Sequence, residues 1–366
     1  MKVGYFLGMF LGILVGILVG SGGEAWGGER RLGERLGERR LGEKGLREAA
    51  EYSRARGGKS LLVIQGGRVI FEEYGDGVKA GEVQKIYSGT KGFWTVAAMC
   101  AVEEGRMRLG ERVAETITEW SGDARRSRIT IEELLNFTDG IEALNHVHSD
   151  AVEDRNGYAL GAKVVAKPGE AFIYGGSHLQ IFCEVLKRKL AKDGETPMGY
   201  LRRKVLDPLG LGEVMYQADR MGNPLMASGF RLSARQWSRM GELILHGGEY
   251  GGRRVVGGNL LGKCFVGSGA CPLFGMGFWN NAMAGRGDAR EIDIEGMLER
   301  KWEDADWDRG CIGRGLPVDL VASVGSEYQR LVVIPSADLI VVRQGKSGRF
   351  RFSDGDFLRM LLGVRG

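Results

Sequence analysis

The 366-residue sequence predicts an α+β fold, in which one antiparallel sheet is built from both chain ends, flanked by helices and interrupted by a helical insertion. Near the start of the globular part, two β-rich runs surround Gly66-Gly67 in a hairpin pattern. A second hairpin pattern, Q-R-L-V-V-I-P followed by D-L-I-V-V-R, spans 329–343. Because the sequence between them is mostly helical, we expect the two distant hairpins to share one sheet.

The helices are predicted from apolar spacing and from the residues that start or stop them. Residues 46–58 (L-R-E-A-A-E-Y-S-R-A-R-G-G) predict a short amphipathic helix that ends at Gly57-Gly58. Ser353 is the candidate N-cap of a last helix that runs to Leu362. The helices predicted for the middle of the chain cover 91–104, 131–136, 178–192 and 234–246.

Composition excludes several classes of protein. Hydrophobic residues make up 43% of the chain and charged residues 27%, which is typical of a globular protein and not of a disordered one. The formal net charge of +4 is small and dispersed, so no nucleic-acid partner is expected. The five cysteines lack the C-x-x-C or histidine-paired spacing of zinc sites. We expect neither a metal nor an organic cofactor.

Residues 1–25 predict a signal peptide or a single membrane anchor. An uncharged apolar run fills 3–23, and glycines recur at every fourth position from Gly4 to Gly20, on one face of a helix as in close-packed membrane helices. The small residues Gly23 and Ala25 instead fit cleavage before Trp26. In either case we expect the rest of the chain to be exported, either periplasmic or anchored to the membrane and facing outward.

Residues 26–45 are dominated by a low-complexity repeat of G-E-R-R-L and related units. A glycine every four or five residues costs a helix about 1 kcal/mol each, so this segment is expected to be a tether. The globular domain is expected over 46–366.

The search for a catalytic nucleophile gives one pattern. No serine has glycine at both −2 and +2, which excludes the G-x-S-x-G elbow. Ser88 and Lys91, however, stand three residues apart at the start of an apolar helix, and therefore on one helix face. Burial disfavours a charged ammonium, so such a lysine can take the serine proton, and the helix N-terminus can stabilise an oxyanion. The alternative is a helix cap followed by a solvated lysine.

Four further segments carry a family resemblance together with Ser88-Gly89-Thr90-Lys91. They are L-L-N-F-T-D-G-I at 134–141, K-P-G-E-A-F-I-Y-G-G-S-H at 167–178, F-R-L-S-A-R-Q-W-S-R-M-G-E-L-I-L-H-G-G at 230–248, and L-V-V-I-P-S-A-D-L-I-V-V at 331–342. In this order they resemble the serine β-lactamase and penicillin-binding-protein superfamily. The closest likeness is to its class C β-lactamase-like branch, which includes carboxylesterases, DD-peptidases and 6-aminohexanoate-dimer hydrolases. The likeness runs from about 46 to 365 and implies a β-lactamase/transpeptidase-like fold.

The resemblance also implies roles for individual residues. Tyr174 corresponds to the second-motif tyrosine, a general base in acylation and an acid to the leaving group. The third motif appears as Ser323-Val324-Gly325, where Gly325 would let substrate approach the strand. The Ser326 amide would pair with the Ser88 amide as an oxyanion hole.

The chain also departs from the family pattern. Gly176 replaces the second-motif asparagine, and Ser323-Val324 replaces a basic third-motif residue. These departures leave Gly176 and Val324 as weak candidates for substrate contact, with Arg314 or Arg343 as substitute partners for a substrate carboxylate. A literal K-S-G at 346–348 is interpreted as a solvated turn.

The cysteines fall into two groups. Cys264, Cys271 and Cys311 lie in the divergent segment 264–316, which is interpreted either as an insertion near the cleft or as a surface loop held by one disulfide. Cys100 and Cys183 lie in apolar helices and are expected to be core thiols.

The predicted function is that of a serine hydrolase that forms a covalent acyl-enzyme. Ser88, Lys91 and Tyr174 would act on a small-molecule or peptide-like substrate with an ester or amide carbonyl. The alternative is a catalytically degenerate protein of the same fold, which serves as a binding or scaffold module at the cell envelope.

Overall fold

A computed structural model of the chain describes residues 40–75 and 77–364. Its main sheet has seven strands in the order β2-β1-β13-β12-β11-β8-β7, and all neighbours are antiparallel. These strands are β1 (Gly58–Gln65), β2 (Arg68–Tyr74), β7 (Phe274–Gly275), β8 (Phe278–Asn280), β11 (Val321–Gly325), β12 (Gln329–Ile334) and β13 (Leu339–Gly345). The sheet thus combines strands from both ends of the described chain, and the predicted α+β class is confirmed.

Three two-stranded sheets complete the β-structure of the described part. They pair β3 (Gln84–Lys85) with β4 (Arg231–Leu232), β5 (Glu249–Tyr250) with β6 (Arg253–Arg254), and β9 (Arg290–Glu291) with β10 (Gly310–Cys311). The β3–β4 pair matters for function, because it ties the strand just before Ser88 to the segment that leads into the helix at 234.

Both predicted hairpins form and meet in the middle of the sheet. Gly66 and Gly67 connect β1 to β2 with φ angles of 60° and 68°, the left-handed values that a two-residue hairpin turn requires. Strand β1 also pairs with β13, where Leu61 lies opposite Arg343. The apolar side chains of these central strands are buried, so the sheet forms one side of the hydrophobic core.

Ten α-helices occur among the described residues. They are α1 (Glu43–Ala55), α2 (Lys91–Glu103), α3 (Ile131–Asn136), α4 (Arg155–Leu160), α5 (Ser177–Leu190), α6 (Pro197–Leu201), α7 (Ala234–Leu245), α8 (Gly258–Lys263), α9 (Ile294–Leu298) and α10 (Asp354–Leu362). Ser353 caps α10 through its side chain, which accepts a hydrogen bond from the backbone of Asp356. Helix α1 begins at Glu43, three residues before the expected start of the globular part.

Helix α2 is the centre of the fold. Every residue from Lys91 to Ala101 is buried, as expected for a helix that is apolar on all sides. A Cβ atom on Gly92 would lie 2.7 Å from the Phe278 ring, so glycine lets β8 pack directly on the first turn of α2. On the same sheet, Gly241 of α7 packs against Ile340 of β13. The sheet therefore fixes the position of the helix that follows Ser88.

The divergent segment 264–316 is part of the main sheet. It contains β7 and β8, and its Trp307 is buried, with ring centroids 5.5 Å from Trp279 and 5.4 Å from Phe172. All five cysteines are free and buried, so the disulfide-held loop is wrong. Packing, and not a covalent bridge, holds this segment.

The predicted signal or anchor at 1–25 and most of the tether at 26–45 lie outside the described residues. Within residues 40–75 and 77–364, no helix is both long enough and apolar enough to cross a membrane.

Candidate active site

Ser88 lies in a tight 3₁₀ turn, Tyr87–Thr90, directly ahead of α2. Tyr87 has a φ angle of 45°, a strained value for a residue other than glycine. A Cβ on Gly89 would lie 2.4 Å from the Trp237 ring, and the Thr90 hydroxyl accepts a 3.1 Å hydrogen bond from the Phe230 amide. These contacts pin the turn against the segment before α7 and against α7 itself.

Lys91 contacts Ser88 from the first residue of α2. Its Nζ donates 2.8 Å hydrogen bonds to Ser88 Oγ and to the Ala227 carbonyl, and the residue is only 2% exposed. Burial lowers the Lys91 pKa from 10.5 to about 7, with no carboxylate among the causes of the shift. A large fraction of this amine is therefore neutral near pH 7 and can accept a proton, which excludes the alternative of a solvated lysine.

Tyr174 completes the cluster from the loop before α5. Lys91 Nζ lies 4.8 Å from its ring centroid, and its phenol is near enough to Ser88 for that hydroxyl to lower the pKa of the phenol. The Phe137 and Phe274 rings pack edge-on against it at 5.4 and 5.8 Å. Burial raises the Tyr174 pKa well above its ordinary value, and the Ser88 hydroxyl offsets only part of that shift. The phenol stays protonated at physiological pH.

The three side chains line a cleft of about 650 Å³, a volume suited to a small organic ligand. Its charged lining is mostly acidic, since Lys85 and Lys91 face the carboxylates of Asp150, Glu295, Glu299 and Glu327. Glu295 is tied to the fully buried Arg330 at 3.0 Å and accepts a 2.7 Å bond from the Tyr328 amide. The divergent segment supplies Glu295 and Glu299, so it borders the cleft as expected.

The residues of the proposed third motif lie in different environments, some buried and one on the cleft. Ser323 is buried beneath the nucleophile turn, where its hydroxyl donates a 3.3 Å bond to the Gly89 carbonyl, and Val324 is also buried. Neither borders the cleft, so the structure does not place Val324 where substrate contact was expected. A Cβ on Gly325 would lie 2.1 Å from the Ile86 carbonyl oxygen, so the chain's own backbone requires this glycine. Ser326, next in the chain, does line the cleft together with Ser88.

The two arginines considered as carboxylate partners lie elsewhere. Arg343 is fully buried and donates to the Ser53 hydroxyl and to the carbonyls of Tyr328 and Arg56. Arg314 borders a different concavity, one formed around 284–291. The 346–348 segment is exposed, as expected, but follows β13 as irregular chain and not as a turn, and its Ser347 reaches the rim of the cleft.

Sequence reasoning missed most polar residues of the cleft, among them His148 and Ser228. The imidazole Nδ1 lies 2.9 Å from Ser228 Oγ. A Cβ on Gly176 would lie 2.9 Å from His148 Nε2 and 2.4 Å from a Val147 methyl, so no side chain fits at position 176. Position 176 therefore has no room for the asparagine of the family pattern. No pattern in the sequence pairs His148 with Ser228, because only tertiary structure brings them together.

The described residues offer no group of three or more His, Cys, Asp or Glu side chains placed to bind a metal ion. The fold and the cleft instead define a class of α+β proteins in which a serine at the start of a buried helix is hydrogen-bonded to a lysine on that helix and shares a cleft with a tyrosine from a loop. The chain belongs to the beta-lactamase family, whose model matches residues 38–254.

The chain is also similar to individual proteins in sequence or in fold. Protein flp from Staphylococcus aureus (strain N315) is 25% identical over 192 residues, which cover 48% of this chain and 38% of that protein. The matched part thus spans less than half of this relative's length. The solved structure of EstCE1, described as a hydrolase with promiscuous acyltransferase activity, has a TM-score of 0.62 at 17% identity and covers 92% of this chain and 98% of its own. A D-stereospecific amidohydrolase from Streptomyces sp. has a TM-score of 0.59 at 13% identity, with 82% and 93% covered.

Proposed function

We propose that this protein is a serine hydrolase that forms a covalent acyl-enzyme on Ser88 with an ester or amide substrate. The observation that carries the proposal is the 2.8 Å hydrogen bond between Ser88 Oγ and the buried Lys91 amine. A serine hydroxyl is a weak nucleophile unless an adjacent base removes its proton. The lowered Lys91 pKa makes such a base available near neutral pH.

Lys91 is proposed as the base and Tyr174 as the acid. The family resemblance gives the base role to Tyr174, but its raised pKa makes the phenolate scarce. In the proposed sequence, Ser88 Oγ bonds to the carbonyl carbon while its proton passes to Lys91. The Tyr174 phenol then donates its proton to the leaving oxygen or nitrogen as the acyl bond breaks. Lys91 then returns the serine proton to the Tyr174 phenolate. In the second half-reaction water attacks the acyl carbon and gives a proton to Lys91, while Ser88 Oγ leaves with the proton of Tyr174; proton transfer from Lys91 to Tyr174 restores the starting state.

The oxyanion is proposed to bind the Ser88 and Ser326 amides. Both residues line the cleft, and the contact of Gly325 with Ile86 keeps the end of β11 against the nucleophile turn. Backbone amides aimed at a developing negative charge are a large contribution to catalysis in acyl transfer.

A neutral or cationic substrate is favoured over an anionic one. Of the four carboxylates that line the cleft, Asp150 is paired with Arg155 and Glu295 with Arg330. Glu299 and Glu327 remain against the exposed Lys85, and the candidate third motif supplies no cation. A substrate carboxylate would therefore meet repulsion and lack a charged partner. This supports a preference for simple esters or amides over β-lactams and peptides that end in a carboxylate.

Covalent labelling tests the proposed function. A fluorophosphonate probe should label the wild-type protein on Ser88, and Ser88→Ala should remove the label completely. Ser347→Ala is the matched control, because it deletes another cleft-lining hydroxyl that has no contact with Lys91. An unlabelled wild-type protein would support the degenerate binding module, and a label that persists in Ser88→Ala would show that another residue is the nucleophile.

We also propose that the domain works outside the cytoplasm, on the evidence of the apolar run at 3–23. A C-terminal fusion to alkaline phosphatase should have phosphatase activity, and a fusion to a fluorescent protein that folds only in the cytoplasm should not fluoresce. The reverse pattern would refute export.

A further inference from the structure

His148 is a cleft residue to which the serine–lysine–tyrosine mechanism gives no role. It ends a short 3₁₀ turn, Asn145–His148, and borders the same cleft as Ser88 and Tyr174. Its Nδ1 is engaged by Ser228, and within the described residues its Nε2 makes no hydrogen bond. A partly buried ring nitrogen on the wall of the cleft that contains Ser88 is thus free to bind a ligand.

Close contacts with neighbouring residues fix the position of the His148 ring. The loop that carries it is held by Arg155, which is fully buried and donates a 2.9 Å bond to the Val147 carbonyl. A Cβ on Gly175 would lie 2.4 Å from Ala143, so Gly175 and Gly176 together allow the loop to pack this closely. The imidazole fills the space that a side chain at position 176 would need.

One chain segment is hydrogen-bonded to both the His148 ring and Lys91. Lys91 Nζ bonds to the carbonyl of Ala227, and His148 bonds to the hydroxyl of the next residue, Ser228. Two adjacent residues of one segment therefore hold both the proposed base and the imidazole. Burial, and secondarily the charges of Lys91 and Arg155, lower the His148 pKa to about 4, so the ring is neutral at physiological pH.

We propose that His148, oriented by Ser228, is a further substrate-binding residue whose Nε2 makes a hydrogen bond to the acyl group attacked by Ser88. A neutral imidazole suits an uncharged ester or amide group and gives no ion pair to a carboxylate, in keeping with the acidic cleft. This inference rests on the proposed function, because it concerns the acyl group carried by Ser88.

The test compares variants on a p-nitrophenyl butyrate assay. His148→Phe keeps an aromatic side chain, larger than imidazole, but removes both nitrogens and should lower kcat/KM by at least about 3- to 10-fold, the effect of one neutral hydrogen bond. Ser228→Ala should give a smaller loss, since the ring remains but is no longer oriented. His146→Phe is the matched control, because His146 lies exposed on the same turn and should leave kcat/KM unchanged.

Chemical rescue separates a polar role from a structural one. His148→Ala should recover activity on addition of imidazole, after subtraction of the rate given by Ser88→Ala in the same buffer. The inference would be overturned by an unchanged kcat/KM in His148→Phe, or by a loss of activity in His148→Ala that imidazole does not rescue. In either case, fluorophosphonate labelling of Ser88 in the wild-type protein would leave the proposed function intact. A wild-type protein that takes no label would refute both.

Discussion

The buried lysine gives the most quantitative prediction, because its lowered pKa links catalysis to stability. Replacing Lys91 with methionine removes an amine whose pKa is about 7 in the folded protein and 10.5 as an unperturbed group. Between these two values the unfolded chain binds more protons than the folded one, so the wild-type protein gains stability as pH rises. Lys91→Met has no such dependence at this position.

The size of the effect follows from linkage. From the two pKa values, the free energy of unfolding of the wild type minus that of Lys91→Met should rise by about 3 kcal/mol between pH 6 and pH 9. Loss of the hydrogen bonds to Ser88 and Ala227 shifts this difference equally at both pH values, so it cancels from the comparison. At pH 6, where the buried ammonium is most costly, the variant should be the more stable protein.

Urea unfolding at pH 6 and pH 9, followed by circular dichroism, measures the difference. Lys85→Met is the control, because Lys85 lines the same cleft with an exposed, hydrated ammonium. Lys91→Met should also abolish fluorophosphonate labelling, and wild-type labelling should decline below about pH 7 as the base is protonated. If the difference in free energy of unfolding does not change with pH, the amine of Lys91 is not neutral in the folded protein, and it cannot be the proposed base.

Three further predictions use the same protein. Gly325→Ala places a methyl group 2.1 Å from the Ile86 carbonyl oxygen, so it should lower the free energy of unfolding in urea by about 1–3 kcal/mol and abolish labelling of Ser88. Gly269→Ala, which adds a methyl group in open space, should change neither the stability nor the labelling. The acidic cleft should favour short-chain p-nitrophenyl esters over nitrocefin, and efficient nitrocefin turnover without esterase activity would reverse this ranking. All five thiols are buried, and burial raises their pKa values. Ellman's reagent at pH 8 should therefore react with no thiol in the folded protein and with five after unfolding in guanidinium. Fast reaction of the native protein would contradict the packing.

Local signals in the sequence predict much of the fold. The glycine pair at 66–67 and the serine at 353 act on their immediate neighbours, so their turn and cap can be predicted without knowledge of the tertiary structure. The spacing of Ser88 and Lys91 likewise places both on one side of a helix start. In contrast, β7 and β8 are two and three residues long, too short for an alternating pattern, and they are strands only because β11 pairs with β8.

The rest of the site depends on contacts between distant segments. Ser323 stands at the expected strand position, but its hydroxyl turns to Gly89 because the nucleophile turn packs directly over β11. Arg343 looks available in the sequence, yet its place on a central strand buries it. His148 and Ser228 are 80 positions apart, and no periodicity connects them.

The pairing of β1 with β13 has a consequence for biosynthesis. Leu61 finds its partner only when Arg343 has been made, which takes on the order of tens of seconds at ribosomal rates of 5–20 residues per second. Through that interval the first hairpin has an unpaired edge, and Ile86 lacks the strand that packs against it. The nascent chain thus carries its serine and lysine long before it has a catalytic centre, and until then its strand edge is open to pairing with other chains.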